Sequence, residues 1–182
     1  DMKSLAFLPL SHIFERSWTL FVLSQGGEVA ILEDPKNILN TLKHVHPTAM
    51  CAVPRFYEKV YQTLVKKIEA SSPTKQKLFN KALEVGAKVA NKKRTGAKVP
   101  FGLQLQFSFF DKLVFRKIKN ELGGNLSFLP CGGAMLKKEI SEFFAAIGLP
   151  VIVGYGLTET TATVTALPLK NYVYGSVGKA LP

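Results

Sequence analysis

The residue types best suited to chemistry stand together near one end of the chain, in Gly154-Tyr155-Gly156-Leu157-Thr158-Glu159-Thr160. Tyr155 offers a flat face on which a base can stack. Thr158 offers a hydroxyl and a backbone N–H to a phosphate. Glu159 offers a hard carboxylate oxygen, the kind of donor Mg²⁺ takes from a protein while phosphate oxygens supply other ligands. The stretch is not a dinucleotide fingerprint, because the third glycine is missing. Nor is it a Walker loop, because no Gly-Lys-Ser/Thr follows. A second cluster, Gly132-Gly133-Ala134, leaves backbone bare enough for a flat ligand to come close. On spacing alone, a plain βα turn accounts for Gly132-Gly133-Ala134 better than a ligand site does, and a polar loop accounts for Gly154 to Thr160 as well as a nucleotide site does.

Both clusters follow predicted strands. Apolar runs place strands at 5–8, 28–32, 48–53, 126–129, 151–153 and 163–167. Helical stripes place helices at 12–24, after Asp34-Pro35, from Pro54, from Ser72-Pro73 to about 91, at 110–122, and over Ile140 to Ile147. Residues 92–107 read as a basic loop punctuated by Gly and Pro. Strands alternating with helices imply a mainly parallel α/β sheet with helices on both faces. In such sheets ligands bind outside the carboxyl ends of the strands. The helices within 54–122 interrupt the rhythm and read as a helical insertion. His44, His46 and Trp18 read as structural.

Composition removes several classes. The chain of 182 residues is 47% hydrophobic and 20% charged, which excludes intrinsic disorder. No apolar run is long enough for a membrane span. Cys51 and Cys131 sit in apolar runs and read as reduced, buried residues, which suggests a cytoplasmic setting. The start at Asp1 carries no signal-peptide pattern, and both ends read as cut from a longer protein.

The net charge of +11 is unevenly spread. Residues 59–119 hold fifteen Lys and Arg against three acidic residues, an excess of +12, and the remainder carries −1. This basic segment suits either a solvated helical face or attraction to a polyanion. No arginine-rich run, zinc pattern or aromatic nucleic-acid motif accompanies it, so no nucleic acid is expected. It shows no long apolar face, so peripheral contact with an anionic inner membrane surface would be electrostatic.

Four ordered segments carry a family resemblance. Gly154 to Thr160, with Thr161-Ala162, resembles the Tyr-Gly-Leu-Thr-Glu signature of adenylate-forming enzymes, the acyl- and aryl-CoA synthetase superfamily. Leu8-Pro9-Leu10-Ser11-His12-Ile13-Phe14-Glu15-Arg16 resembles the Pro-Leu-Ser-His segment of long-chain fatty acid–CoA ligases. Gly132-Gly133-Ala134-Met135-Leu136 resembles Gly-Gly-Ala-Pro-Leu, with Met135 in place of the common proline. Gly175-Ser176-Val177-Gly178-Lys179 is similar to the segment that follows in that family. The resemblance spans essentially the whole chain.

The resemblance implies one α/β lobe of the large N-terminal domain of an adenylate-forming enzyme. Residues 1–182 would be a partial AMP-binding domain, with 54–122 its basic helical insertion and flanking parts of the parent protein absent. The implied reaction joins a fatty acid to ATP, releasing pyrophosphate, and then passes the acyl group from AMP to coenzyme A. Gly132, Gly133, Ala134, Tyr155, Gly156, Leu157 and Thr158 would bind the adenylate. Thr158 and Glu159 would be catalytic, with Glu159 holding Mg²⁺. His12 and Gly154 would line the acyl pocket. The family's phosphate loop with its lysine, its ribose-binding Asp, a further Arg and its C-terminal lysine domain have no counterpart in this stretch. Lys179 does not match that catalytic lysine, so the stretch alone is expected to be inactive. The competing expectation is a non-catalytic basic module that docks on acidic membrane or nucleic acid.

Overall fold

The computed structural model describes residues 1–181. Its strands are β1 (Lys3–Ala6), β2 (Glu28–Ile31), β3 (Leu129–Cys131), β4 (Val151–Leu157), β5 (Ala162–Ala166) and β6 (Lys179–Ala180). Its α-helices are α1 (Ile13–Ser24), α2 (Ile38–Val45), α3 (Pro54–Glu69), α4 (Pro73–Arg94), α5 (Phe101–Phe110), α6 (Arg116–Glu121) and α7 (Lys138–Ala146). A π-helical turn, Asp111–Phe115, joins α5 to α6.

β1 pairs with β2, and β3 with β4, all in parallel; β5 and β6 then add antiparallel strands beyond β4. The predicted strand at 48–53 lies between β1 and β3. It makes only isolated parallel bridges, Ser4 to Ala49, Ala49 to Phe128 and Ala52 to Cys131. These bridges tie the two sheets into one array. Ala52 is fully in register, donating to the Pro130 carbonyl at 2.9 Å while its own carbonyl accepts from Gly132 N. One step back in that register, the carbonyl of Met50 meets Pro130, which has no N–H to give. The missing donor breaks the ladder there.

The helices start where local chemistry allows. Asp34 accepts from Lys36 N at 3.0 Å and caps a short 3₁₀ turn that feeds α2. Pro54 and Pro73 each occupy a first helical position, where a missing N–H costs nothing. His46 ends α2 in the left-handed conformation, with Nδ1 2.6 Å from the Gly123 carbonyl, and His44 Nδ1 lies 2.7 Å from Asn40 O. Both histidines are structural, as predicted. Trp18 is half-buried, and its Nε1 donates to Ser4 Oγ at 2.8 Å.

α1 packs against β1, β2 and β5, while α7 packs against β4, α3 and α4. Edge-on aromatic pairs join that second group, Tyr57 with Phe144 at 5.4 Å and Tyr61 with Phe143 at 5.0 Å. Tyr57 is fully buried, and its hydroxyl donates to the Pro130 carbonyl, so α3 is pinned to β3. At Gly86 a Cβ would sit 2.1 Å from the carbonyl oxygen of Ala146, so α4 and α7 cross there in direct backbone contact. Cys51 and Cys131 are free and buried; burial pushes the Cys131 thiol up to about 12 and the Cys51 thiol higher still.

Two expectations are corrected. Part of the predicted loop at 92–107 is helix, because α4 runs on to Arg94 and α5 begins at Phe101. Phe107 and Phe110 supply burial that outweighs the breaker Gly102. The same helix leaves Phe101, Leu105 and Phe109 exposed at a four-residue spacing, followed by Leu113. The basic segment therefore does carry an apolar stripe.

Candidate functional site

β4 begins inside the core at Val151, Ile152 and Val153 and emerges at Gly154. It does not stop at residue 153 as predicted. Antiparallel pairing with β5 carries the strand through the glycine-rich signature to Leu157, with a bulge between Tyr155 and Gly156. At Gly156 a Cβ would lie 1.5 Å from the Ala162 carbonyl oxygen, so no other residue fits.

The hairpin turn holds Thr158 and Glu159 out at its tip, both exposed. Thr160 fastens it: its hydroxyl accepts from Leu157 N at 2.9 Å and lies within donor reach of the Leu157 and Ala162 carbonyls. Thr161 and Ala162 follow with φ of 55° and 81°. Left-handed backbone in non-glycine residues costs of order 1–3 kcal/mol each. The turn bearing the two polar residues is thus a strained one held in place by its neighbours.

Opposite this tip stands the start of α1. A cleft of about 530 Å³ brings together Leu8, His12, Gly132, Gly154, Thr158 and Glu159 among its walls. Segments more than a hundred residues apart in sequence meet here. A second hollow of about 320 Å³ joins Ala134, Met135, Tyr155, Ser176 and Val177. Gly133, Gly154, Gly156 and Leu157 border both spaces. Alternation along the strand explains the division, since successive side chains point to opposite faces. Of the predicted residues, His12, Gly132, Thr158 and Glu159 share the first space, and Ala134 and Tyr155 share the second. All four segments quoted from the sequence contribute to one or the other.

Sequence reasoning passed over the residues that hold the Leu8–His12 loop. Glu15 is completely buried, and its Oε2 accepts from Leu8 N at 3.1 Å. Its Oε1 has no hydrogen-bond partner among the described residues. Desolvation pushes the Glu15 carboxyl above its ordinary value. Arg16 donates to Leu10 O at 3.1 Å and reaches Ser11 O at 3.4 Å. A carboxylate one turn into an otherwise apolar helical stripe was the available signal.

The described residues contain no group of three or more His, Cys, Asp or Glu close enough to hold a metal ion alone. Glu159 stands as a single carboxylate beside Thr158. That donor set fits a metal only where phosphate oxygens complete the coordination, which is the habit of Mg²⁺.

The whole chain, residues 1–182, matches the AMP-binding enzyme family. The chain belongs to that family. It is 33% identical over 180 residues to the long-chain-fatty-acid–CoA ligase FadD15 of Mycobacterium bovis, covering 99% of this chain and 30% of that protein. It is 33% identical over 181 residues to long chain acyl-CoA synthetase 5 of Arabidopsis thaliana, covering 98% of this chain and 26% of that one. Among solved structures, o-succinylbenzoate CoA synthetase of Bacillus subtilis with its acyl-adenylate intermediate superposes with a TM-score of 0.56 at 17% identity. That match covers 99% of this chain and 27% of the synthetase. The N-terminal domain of FACL13 from Mycobacterium tuberculosis gives 0.55 at 18% identity, covering 98% and 33%. The fold is the one found in the N-terminal domain of adenylate-forming enzymes. The chain spans about a quarter to a third of the relatives it matches.

Proposed function

We propose that this chain is the part of a long-chain fatty acid–CoA ligase that presents the adenylate to its two partners, the fatty acid and coenzyme A. The observation that carries the reading is the meeting of the His12 loop, Gly132-Gly133 and the Thr158-Glu159 tip around one cleft. Tyr155, with Ala134 beside it, supplies the surface for adenine on the far side of β4. Gly133, Gly154 and Gly156, which border both spaces, keep the path between them low, so that a nucleotide can lie across the strand with Gly132 and Leu157 beside it. The Thr158 hydroxyl binds the α-phosphate. His12 and Gly154 flank the acyl chain, and Glu15 holds the His12 loop in position.

Glu159 is the residue that would hold Mg²⁺, and bound Mg²⁺ supplies neutralisation of phosphate charge. ATP is then a co-substrate. Because phosphoryl chemistry needs positioning and charge stabilisation above all, a strained, over-determined turn is a suitable carrier for these two side chains. Residues 54–122 are the basic helical insertion of this lobe.

We further propose that the protein is cytoplasmic and meets anionic membrane from the side of that insertion. Phe101, Leu105 and Phe109 are exposed at a four-residue spacing, and Lys98, Lys112 and Arg116, close to them in sequence, are exposed too. An apolar stripe with a basic border is what an interfacial helix requires. No helix of the described residues is long and apolar enough to cross a membrane. Co-sedimentation of the full-length protein with anionic vesicles should fall at high salt and should be weak with neutral vesicles. Equal binding to both would remove the membrane reading.

The ligase reading is tested by incubating the full-length protein with palmitate, Mg-ATP and coenzyme A and following AMP. Fatty-acid-dependent AMP formation is the expected result, and the isolated chain should form none. AMP formation by the isolated chain at the full-length rate would contradict the assignment of a partial site.

A further inference from the structure

A cavity of about 840 Å³ bordered by the basic helices shares no residue with the cleft at β4. It opens between the end of α3, the start of α4 and the π turn with α6. Its apolar walls include Leu64, Ile68, Leu78, Phe79, Val114 and Ile118, none of them exposed, with the exposed Leu113 at the edge. Its size falls within the range of about 300–1,000 Å³ usual for small-molecule sites.

Its rim is cationic. Lys67, Lys75 and Lys117 border the opening, are exposed, and enter no ion pair among the described residues. The one acid on the rim, Glu121, is engaged by Lys43 at 2.6 Å, and Lys43, with the more distant charge of Lys67, holds its carboxyl below the ordinary range. The last carbonyls of α3 are also occupied: Ser71 Oγ donates to Ile68 O, and Gln76 Nε2 donates to Glu69 O. An apolar trough with three exposed ammonium groups at its edge matches one ligand chemistry, a long apolar chain ending in an anion.

We infer that this trough is a second lipid site, which holds the chain of a monomeric long-chain fatty acid while Lys67, Lys75 and Lys117 hold its carboxylate. The inference stands on the trough alone and does not need the ligase reading to be correct. It gives the basic segment a ligand of its own, separate from the adenylate cleft.

The test is photolabelling of the full-length protein with a palmitate analogue carrying a diazirine on its chain, followed by peptide mapping. Label is expected on peptides covering residues 64–79 and 113–121, and unlabelled palmitate should displace it. That label should persist when a non-hydrolysable acyl-adenylate analogue fills the β4 cleft. Lys67→Glu with Lys75→Glu and Lys117→Glu should cut it about ten-fold, on the scale of a few exposed ion pairs. Leu78→Trp, which fills the trough without touching charge, should cut it as well. Adenylation should be unchanged in both variants. Label confined to the β4 cleft overturns the proposal, as does trough labelling that survives both variants. Labelling by a diazirine phospholipid in anionic vesicles, but not by the palmitate analogue, also overturns it by making the bilayer the occupant. If the wild-type full-length protein forms no AMP with fatty acid, Mg-ATP and coenzyme A but its trough is still labelled, the ligase reading fails and this site stands.

Discussion

Between Gly154 and Ala162, backbone lies directly on backbone, and the side chains that matter point outward. Between Pro54 and Glu121, side chains do most of the packing on helices, apart from a π turn at Asp111–Phe115 and the backbone contact of Gly86 with Ala146. The hairpin has two left-handed non-glycine residues in succession and a glycine that admits no Cβ. The helical half instead buries Tyr57, Phe79 and Phe115 and displays lysine. The difference teaches where each half tolerates change. A strained turn fixes Thr158 and Glu159 to a narrow geometry, so under the proposed function small substitutions there are expected to act on chemistry. Amphipathic helices spread their stability over many contacts, so charge can be redistributed on them with little cost to the fold.

The contrast is broken most forcefully at Gly156. Gly156→Ala should lower adenylation by about 10²-fold or more, since displacing a reacting group by roughly 1 Å has that effect. Its thermal midpoint should fall too, because the added methyl meets the Ala162 carbonyl head-on. An active, stable alanine variant would show that the hairpin is not as tightly built as described.

Glu15 sharpens the comparison from the other wall of the cleft. Glu15→Ala leaves the Leu8 N–H without its acceptor, a loss of about 1–3 kcal/mol for a buried group. The full-length variant should show a raised KM for fatty acid together with lower stability. Burial also raises the Glu15 carboxyl, so the native state keeps this proton to higher pH than the unfolded chain. Stability should therefore fall as pH rises from the ordinary value of 4.5 through the raised one. Glu15→Gln keeps a neutral acceptor and should flatten that fall in denaturation curves collected across this window. An identical pH profile in the variant would show that Glu15 is solvated.

A smaller effect is expected at Tyr57. Tyr57→Phe removes one hydrogen bond to Pro130 O, which still accepts from Ala52 N. A loss of about 1 kcal/mol in denaturant unfolding is expected, with adenylation unaffected. The smallest effect on chemistry belongs to the basic face. Lys112→Glu with Arg116→Glu should leave adenylation in solution unchanged while weakening binding to anionic vesicles at low salt. A large fall in adenylation rate would mean that the two regions are coupled.

Much of this was legible in the sequence because it is written in local chemistry. Asp34-Pro35, Pro54, Pro73 and Gly148 marked helix ends that the structure keeps. The signature residues, the glycine cluster and His12 could be picked out by type, and the fold brings them to the two faces of one strand. What was hidden depended on partners distant in sequence. β4 continues past residue 153 because β5 pairs with it, and the poor strand propensity of two glycines concealed that. α5 was masked by Pro100, Gly102 and a basic flank, although Phe107 and Phe110 reach the core cluster. Glu15 was visible as a letter but not as a tie, because its contact to Leu8 N depends on how the preceding loop turns back.

The measurement closest to the central claim is fatty-acid-dependent exchange of pyrophosphate into ATP by the full-length protein, run beside Glu159→Gln. Glutamine keeps the shape of the side chain and removes the charge that Mg²⁺ would use. Wild-type protein should exchange only when a long-chain fatty acid is present. The variant should be slower by roughly 10²-fold or more, with unchanged thermal unfolding. Exchange that survives Glu159→Gln at saturating Mg²⁺, or that never depends on fatty acid, would contradict the account.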